Sequence, residues 1–317
     1  MNEIPLSWWL GFNVFVLVML ALDLGVFNRK AHVVTLKEAL GWSAVWITMA
    51  LIFNVGVLKC LGSEKATEFL TGYIIEKSLS VDNVFVFAVL FTFFGVPPQY
   101  QHKVLFWGIF GALVMRAAMI FAGTALIAQF TWIIYVFAVL LVFTGIKMLM
   151  GGHENVHPEK NIAIRLLRKV MPITNEFHEQ KFFVIQNGRR AATPLFAVLL
   201  CIEVTDVIFA VDSIPAILAV TQDTFIVYTS NVFAILGLRS LYFALSGILP
   251  YFQFLKYGLG VILCFVGVKM ALSHSAWKID TMVSLIVVGS ILTISVIASI
   301  IYRKKHPEET IKPSDLI

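Results

Sequence analysis

Nine apolar runs, each about 20 residues and so long enough to cross a bilayer, lie near 6–27, 40–60, 69–94, 104–124, 131–150, 194–220, 225–247, 251–272 and 281–302. They are continuous, unlike the alternating segments of about ten residues that build outer-membrane barrels. The pattern predicts an all-α polytopic membrane protein with about nine transmembrane helices. Composition agrees. Of 317 residues, 59% are hydrophobic and 14% charged, where a soluble domain carries about 25% charged, and mean hydropathy is +0.87. That excess cannot be hidden in one globular core, so soluble enzymes, nucleic-acid binders and disordered scaffolds are excluded and the lipid bilayer is the first partner. Asn2 and Glu3 precede the first run and no small-x-small site follows it, so it reads as a membrane helix, not a cleaved leader.

The net charge of +5 reports orientation. Loops on one side hold sixteen Lys and Arg residues, among them Arg29, Lys30, Arg165, Arg168, Arg189, Arg190 and Arg303; the other side holds three, Lys59, Lys65 and Lys278. The positive-inside rule then puts the N-terminus outside and the C-terminus in the cytoplasm. The one sizeable polar segment, 151–193, is a basic cytoplasmic loop that divides the chain.

The parts on either side of that loop repeat each other. Glu76 and Asp82 are six residues apart, as are Asp206 and Asp212. Arg116 and Arg239 each fall mid-span in the next helix, and Phe-Thr-Gly-Ile-Lys147-Met is answered by Phe-Val-Gly-Val-Lys269-Met. The expected organisation is two helices over 1–65, repeat one over 66–150, the loop over 151–193, repeat two over 194–272, and a last helix with its tail over 273–317. The triplets start on opposite sides, so the repeats are inverted, an organisation that marks secondary transporters with a polar site at the repeat interface.

Eleven ionisable residues fall inside the runs: Asp23, Glu76, Lys77, Asp82, Arg116, Lys147, Glu203, Asp206, Asp212, Arg239 and Lys269. Each charge at a helix centre costs roughly 2.5–3.5 kcal/mol, so the carboxylates must be paired, protonated, hydrated or holding a cation. Arg116, Arg239 and Lys77 are the candidate counter-charges. Glu76, Asp82, Asn83, Glu203, Asp206 and Asp212 are the candidate ligands, since carboxylate and amide oxygens suit hard divalent cations. Asp23 and Ser213 are accessory candidates, with the Val211 carbonyl, which Pro215 cannot bond. Six residues of ideal helix turn two groups about 120° apart. Glu76 and Asp82 therefore share an ion only if the helix unwinds, or else Asp82 meets Asp212 across the pseudo-two-fold axis. Pro215 favours unwinding in repeat two.

Glu76-Lys-Ser-Leu-Ser-Val-Asp-Asn-Val-Phe, Glu203-Val-Thr-Asp-Val-Ile-Phe-Ala-Val-Asp-Ser-Ile-Pro-Ala and Ser230-Asn-Val-Phe-Ala-Ile-Leu-Gly-Leu-Arg-Ser resemble the TerC family, in its Alx-like bacterial members, over nearly the whole chain. The resemblance implies a bacterial inner-membrane protein tied to manganese export and the alkaline-pH response, with the acidic motifs falling on Glu76, Asp82, Asn83, Glu203, Asp206 and Asp212. The expected function is export of a divalent metal, Mn²⁺ foremost, in exchange for protons, with no catalysis and no permanently bound cofactor.

Other readings compete. Redox-modulator and tellurium-resistance labels attach to such proteins, but Cys60, Cys201 and Cys264 form no Cys-x-x-Cys pair. His153-Glu154-Asn-Val-His157 fits a zinc-protease pattern with Glu176 as a third ligand, yet Gly151, Gly152 and Pro158 make a poor helix around it. A channel selecting cations by acidic rings is also compatible.

Overall fold

The computed structural model describes residues 4–22, 34–150, 167, 169–174, 176–186, 188–245, 254–273, 275, 277 and 279–305; the side chains of Val81, Asp82, Phe85, Val89, Leu245, Lys256 and Arg303 are outside that description. Its helices are α1 (Leu6–Leu22), α2 (Leu36–Leu61), α3 (Ser63–Phe93), α4 (Pro98–Gln129) and α5 (Ile133–Leu149), then α6 (Pro194–Leu218), α7 (Thr224–Leu236), α8 (Leu238–Leu245), α9 (Leu255–Ala271) and α10 (Thr281–Lys305). Between α5 and α6 lies an antiparallel hairpin of β1 (Phe183–Gln186) and β2 (Arg189–Ala192), with Phe183 opposite Ala192.

Among the described residues, five stretches are long and apolar enough to cross a membrane: Leu36–Leu61, Pro98–Gln129, Pro194–Leu218, Thr224–Ala244 and Thr281–Tyr302. Leu6–Leu22, Ile133–Leu149 and Tyr257–Ala271 are shorter apolar helices. Large side chains such as Leu51, Ile52, Val139, Phe143, Ile286 and Ile294 are exposed, as surfaces in contact with acyl chains require. The chain is a polytopic helical membrane protein.

Local chemistry sets the helix ends. Gly62, at φ 93°, turns α2 directly into α3, a backbone conformation that costs glycine nothing. Pro98 opens α4 and Pro194 opens α6, positions where the missing N–H is not needed. Asp223 caps α7 by accepting from the Phe225 and Ile226 amides at 3.1 and 3.3 Å.

Side-chain contacts fix the helix directions at the centre. Gly72 meets Ser230, and Lys77 donates to the Ala234 carbonyl at 3.2 Å, so α3 and α7 run the same way. Gly108 packs on Ile202, Arg116 pairs with Asp206, and Gly123 packs on Leu218, so α4 and α6 also run parallel. Gly72 packs on Ile217 while Asn83 bonds Asp206, so α3 and α6 are antiparallel.

The helix pair α5 and α9 packs more extensively than any other. A Cβ on Gly145 would fall 2.7 Å from the Gly260 carbonyl and 2.9 Å from the Cys264 amide nitrogen. A Cβ on Gly267 would fall 2.9 Å from the Ala138 carbonyl and 2.8 Å from Val142. Contact order reverses along the two helices, so they cross antiparallel, each seating a glycine on the other's backbone. Such approaches exploit dispersion and carbonyl contacts where lipid leaves no hydrophobic driving force.

One expectation about helix interruption, unwinding at Pro215, is corrected, and of the two alternatives open for α3 the unwound one is not observed. Helix α3 runs unbroken past Glu76 and Asp82, and α6 runs through Pro215 to Leu218. Pro215 lies in the last turn of α6, where it removes a single backbone bond, and in lipid every remaining N–H and C=O holds the helix together. The interruption falls instead at Gly237, between α7 and α8.

Candidate functional site

Arg116 is the centre of the buried polar network. It projects from the middle of α4 with 2% of its surface exposed. Its Nε and Nη2 donate to Asp206 Oδ2 and Oδ1 at 3.0 and 2.8 Å, a bidentate pair with α6. Its Nη1 donates to Glu76 Oε1 of α3 and, at 3.3 Å, to Ser213 Oγ. Asn83 Nδ2 donates to Asp206 Oδ1 at 3.2 Å. Three helices thus converge on one guanidinium in a setting that screens charge poorly, where only full pairing makes ions tolerable.

One charge does not balance this site. Glu203, three residues before Asp206 on α6, lies against α4 where Gly111 leaves room; a Cβ there would overlap its carboxylate. Glu76 and Asp206 bring two carboxyl groups to one guanidinium, and Glu203 stands about one turn before Asp206 on the same helix. Moreover, Glu76 Oε2, Glu203 Oε2 and Asn83 Oδ1 are buried and accept no hydrogen bond. Unmade bonds of this kind are costly, and all three atoms are hard oxygens that can accept a proton or a cation. Among the described residues no three His, Cys, Asp or Glu side chains already form a metal cage; the centre is held by Arg116.

The other sequence candidates go elsewhere. Asp212 Oδ1 accepts from Thr144 Oγ1 of α5 at 3.0 Å, and Asp212 is half-buried on the α5 side of α6. Val211 is exposed. Lys77 reaches the C-terminal end of α7, and a Cβ on Gly237 would lie 2.6 Å from its Nζ. There it meets the negative end of a helix dipole. Arg239 Nη1 donates to His102 Nε2 at 3.0 Å. Asp23, His153, Glu154 and His157 fall outside the described residues, as does the Asp82 side chain. Glu176 is exposed.

Sequence reasoning missed several participants. The apolar run over 104–124 leaves His102 before its span, although Pro97 and Pro98 signal an earlier helix start. Thr144 and Asn231 carry no charge, so a search for charges in lipid passes over them. A cluster at the other end also went unnoticed. Lys65 pairs with Glu68 at 2.9 Å and Asp223 at 3.2 Å, and Thr221 donates to Glu68 at 2.7 Å. It joins the start of α3 to the α6–α7 loop.

A family model described as the integral membrane protein TerC family matches residues 61–307. The chain is 53% identical to an uncharacterized membrane protein of Myxococcus xanthus over 94% of this chain and 93% of the other. It is 49% identical to a Salmonella typhi protein provisionally named a membrane-bound redox modulator, Alx, over 92% and 93%. The Escherichia coli K12 protein of the same name is 47% identical over 96% and 97%. No solved structure matches.

Proposed function

The chain belongs to the TerC family of integral membrane proteins, and we propose that it exports a divalent metal ion, Mn²⁺ foremost, across the bacterial inner membrane in exchange for protons. The observation that carries this reading is the negative excess around Arg116: two carboxylates share one guanidinium, Glu203 stands about one turn from Asp206, and three buried oxygens have no donor. Oxygen-only sites suit Mn²⁺, Mg²⁺ and Ca²⁺. Glu76, Asn83, Glu203 and Asp206 are the ligands in this reading. Arg116 is the internal counter-ion. It holds Glu76 and Asp206 when no metal is bound and yields them when one enters. Protons taken up by the carboxylates as the metal leaves complete the exchange.

The nine-span topology with inverted three-helix repeats belongs to the same proposal. Parallel pairs α3–α7 and α4–α6, antiparallel α3–α6 and the mutual glycine contacts of α5 with α9 are what exchange of the two triplets about an in-plane axis requires. Alternating access is then rocking of one triplet against the other around Arg116. The N-terminus lies in the periplasm and the C-terminus in the cytoplasm. A fluorescent-protein fusion after Ile317 should glow and a phosphatase fusion there should be silent; the reverse overturns the orientation.

The name Alx carries a redox reading. Cys60, Cys201 and Cys264 are all free and lie on three different helices, and no pair of them offers a dithiol to cycle. Transport separates the readings. Proteoliposomes with the protein should accumulate or release Mn²⁺ under an imposed pH gradient, and metal movement unaffected by the protein overturns the proposal.

A further inference from the structure

Asn231 lies in the middle of α7, 1% exposed, and both atoms of its amide are buried without a hydrogen-bond partner. A buried primary amide can make about four hydrogen bonds, and leaving every one unmade at the core of a bundle costs stability. Lipid offers no water to relieve it. A bound ligand is one way such a group is satisfied.

Its position says which one. On α7, Ser230 and Ala234 face Gly72 and Lys77 of α3, while Tyr228 lies at the seam of α1 and α4, donating to Asn13 at 2.7 Å and meeting Phe121 at 6.1 Å between ring centroids. At about 100° per residue, Asn231 falls between these two directions, toward the space enclosed by α3 and α4. Its depth is bracketed from both sides. Along α3, Gly72 and Lys77 enclose Glu76. Along α4, contacts of Phe121 with Tyr228 and His102 with Arg239 bring Arg116 level with Asn231. The helical angle thus puts Asn231 on the α3–α4 side of α7 at about the depth of Arg116, and Glu76 Oε2, on α3, lacks a partner as well.

Resting on the metal-export reading above, we propose that Asn231 is a cation-binding residue of the same site: its Oδ1, with Glu76 Oε2, takes a hard divalent cation on the α7 side. The amide oxygen adds a ligand without adding charge, so a divalent ion is held but not trapped. Lys77, which ties α3 to the end of α7, keeps the two oxygens in register.

The test is Mn²⁺ binding to the full-length purified protein in nanodiscs, read as loss of the free-ion paramagnetic resonance signal, beside thermal melting without metal. Asn231→Leu should weaken binding about tenfold or more, the scale on which loss of a coordinating or supporting group acts. The same variant should melt at a higher temperature without metal, because it removes an unsatisfied amide. Asn231→Asp, of the same shape, should bind Mn²⁺ more tightly than the unaltered protein and decides the matter if the leucine variant does not fold. Unchanged binding in Asn231→Leu, or unchanged or weaker binding in Asn231→Asp, overturns the assignment and leaves the export reading standing. A leucine variant both less stable and weaker in binding gives Asn231 a packing role and also overturns it. If the unaltered protein binds no Mn²⁺, the inference and the reading beneath it fall together.

Discussion

Asn83 of α3 donates its amide to Asp206 of α6 at 3.2 Å, and this bond has a counterpart. In the register that equates Glu76 with Asp206, Asn83 equates with Ser213, and Ser213 shares Arg116 Nη1 with Glu76. Each acidic residue thus has, from the opposite helix, a small polar side chain seven positions after its own equivalent. Arg116 comes from α4 alone, while Arg239, at the matching place, pairs with His102. The charge centre is therefore asymmetric: one guanidinium, from α4, serves both acidic residues.

Removing Arg116 should be among the most damaging single changes. Arg116→Ala leaves Glu76 and Asp206 buried without a cation, a loss of about 3–5 kcal/mol for a broken buried pair. Combining it with Glu76→Gln and Asp206→Asn should recover much of that stability, because the stranded charges are gone. Thermal unfolding in detergent checks both statements, and a triple variant no more stable than Arg116→Ala alone would contradict the pairing.

Asp206→Asn keeps volume and one acceptor oxygen but removes a charge. Insertion into the membrane should survive and export should not. Cells lacking their own exporter and producing this variant at normal level should accumulate manganese under challenge as if they had no protein, by elemental analysis. Accumulation as low as with the unaltered protein would remove Asp206 from the pathway.

Charge in lipid was the readable signal. Glu76, Arg116 and Asp206 stand out against apolar neighbours because nothing but pairing or function retains them there, and the structure joins all three. Uncharged partners give no such signal: Asn83 is singled out only by adjoining an aspartate, and Asn231 by nothing in its run. Helix breaks were misread for a related reason. Proline announces itself in sequence, yet Pro215 falls in a last turn that tolerates it, whereas Gly237 breaks its rod beside Lys77. Helix existence followed from length and hydropathy; contacts such as Thr144 with Asp212 depend on rotation of one helix against another, which no single run encodes.

The Lys65 cluster precedes the apolar run beginning at 69 and should respond to alkaline pH. Burial opposes the ammonium charge, but the hydrogen bond and charge of Glu68, with Asp223, outweigh it and hold Lys65 above its ordinary value. A raised folded-state value means the stabilisation is complete below the unfolded lysine value, about 10.4, and disappears as pH climbs through the folded one. The group is partly exposed, so the contribution should be only about 0.2–1 kcal/mol. The melting difference between the unaltered protein and Lys65→Met should stay constant from neutral pH to moderately alkaline pH and shrink only above the usual lysine range. A difference that vanishes near neutrality would mean that the ion pairs contribute nothing.

The α5–α9 crossing gives the sharpest test of helix arrangement. Cys264 Sγ lies 3.8 Å from the Val142 carbonyl, and Gly145 and Gly267 seat the helices against each other's backbone. With Cys60 and Cys201 replaced by serine, a cysteine at position 142 (Val142→Cys) should form a disulfide with native Cys264 under mild oxidation. One at position 139 (Val139→Cys), on an exposed side chain of α5, should not. Cross-linking is read as protection from separation after proteolysis in the 151–193 loop. Gly267→Leu should abolish the 142–264 cross-link and destabilise the protein by about 1–3 kcal/mol or more, because a side chain there must displace the Ala138 carbonyl and Val142. Equal cross-linking from positions 139 and 142 would mean that the helices meet on another face. The antiparallel pairing, and the exchange of triplets built on it, would then lose its support.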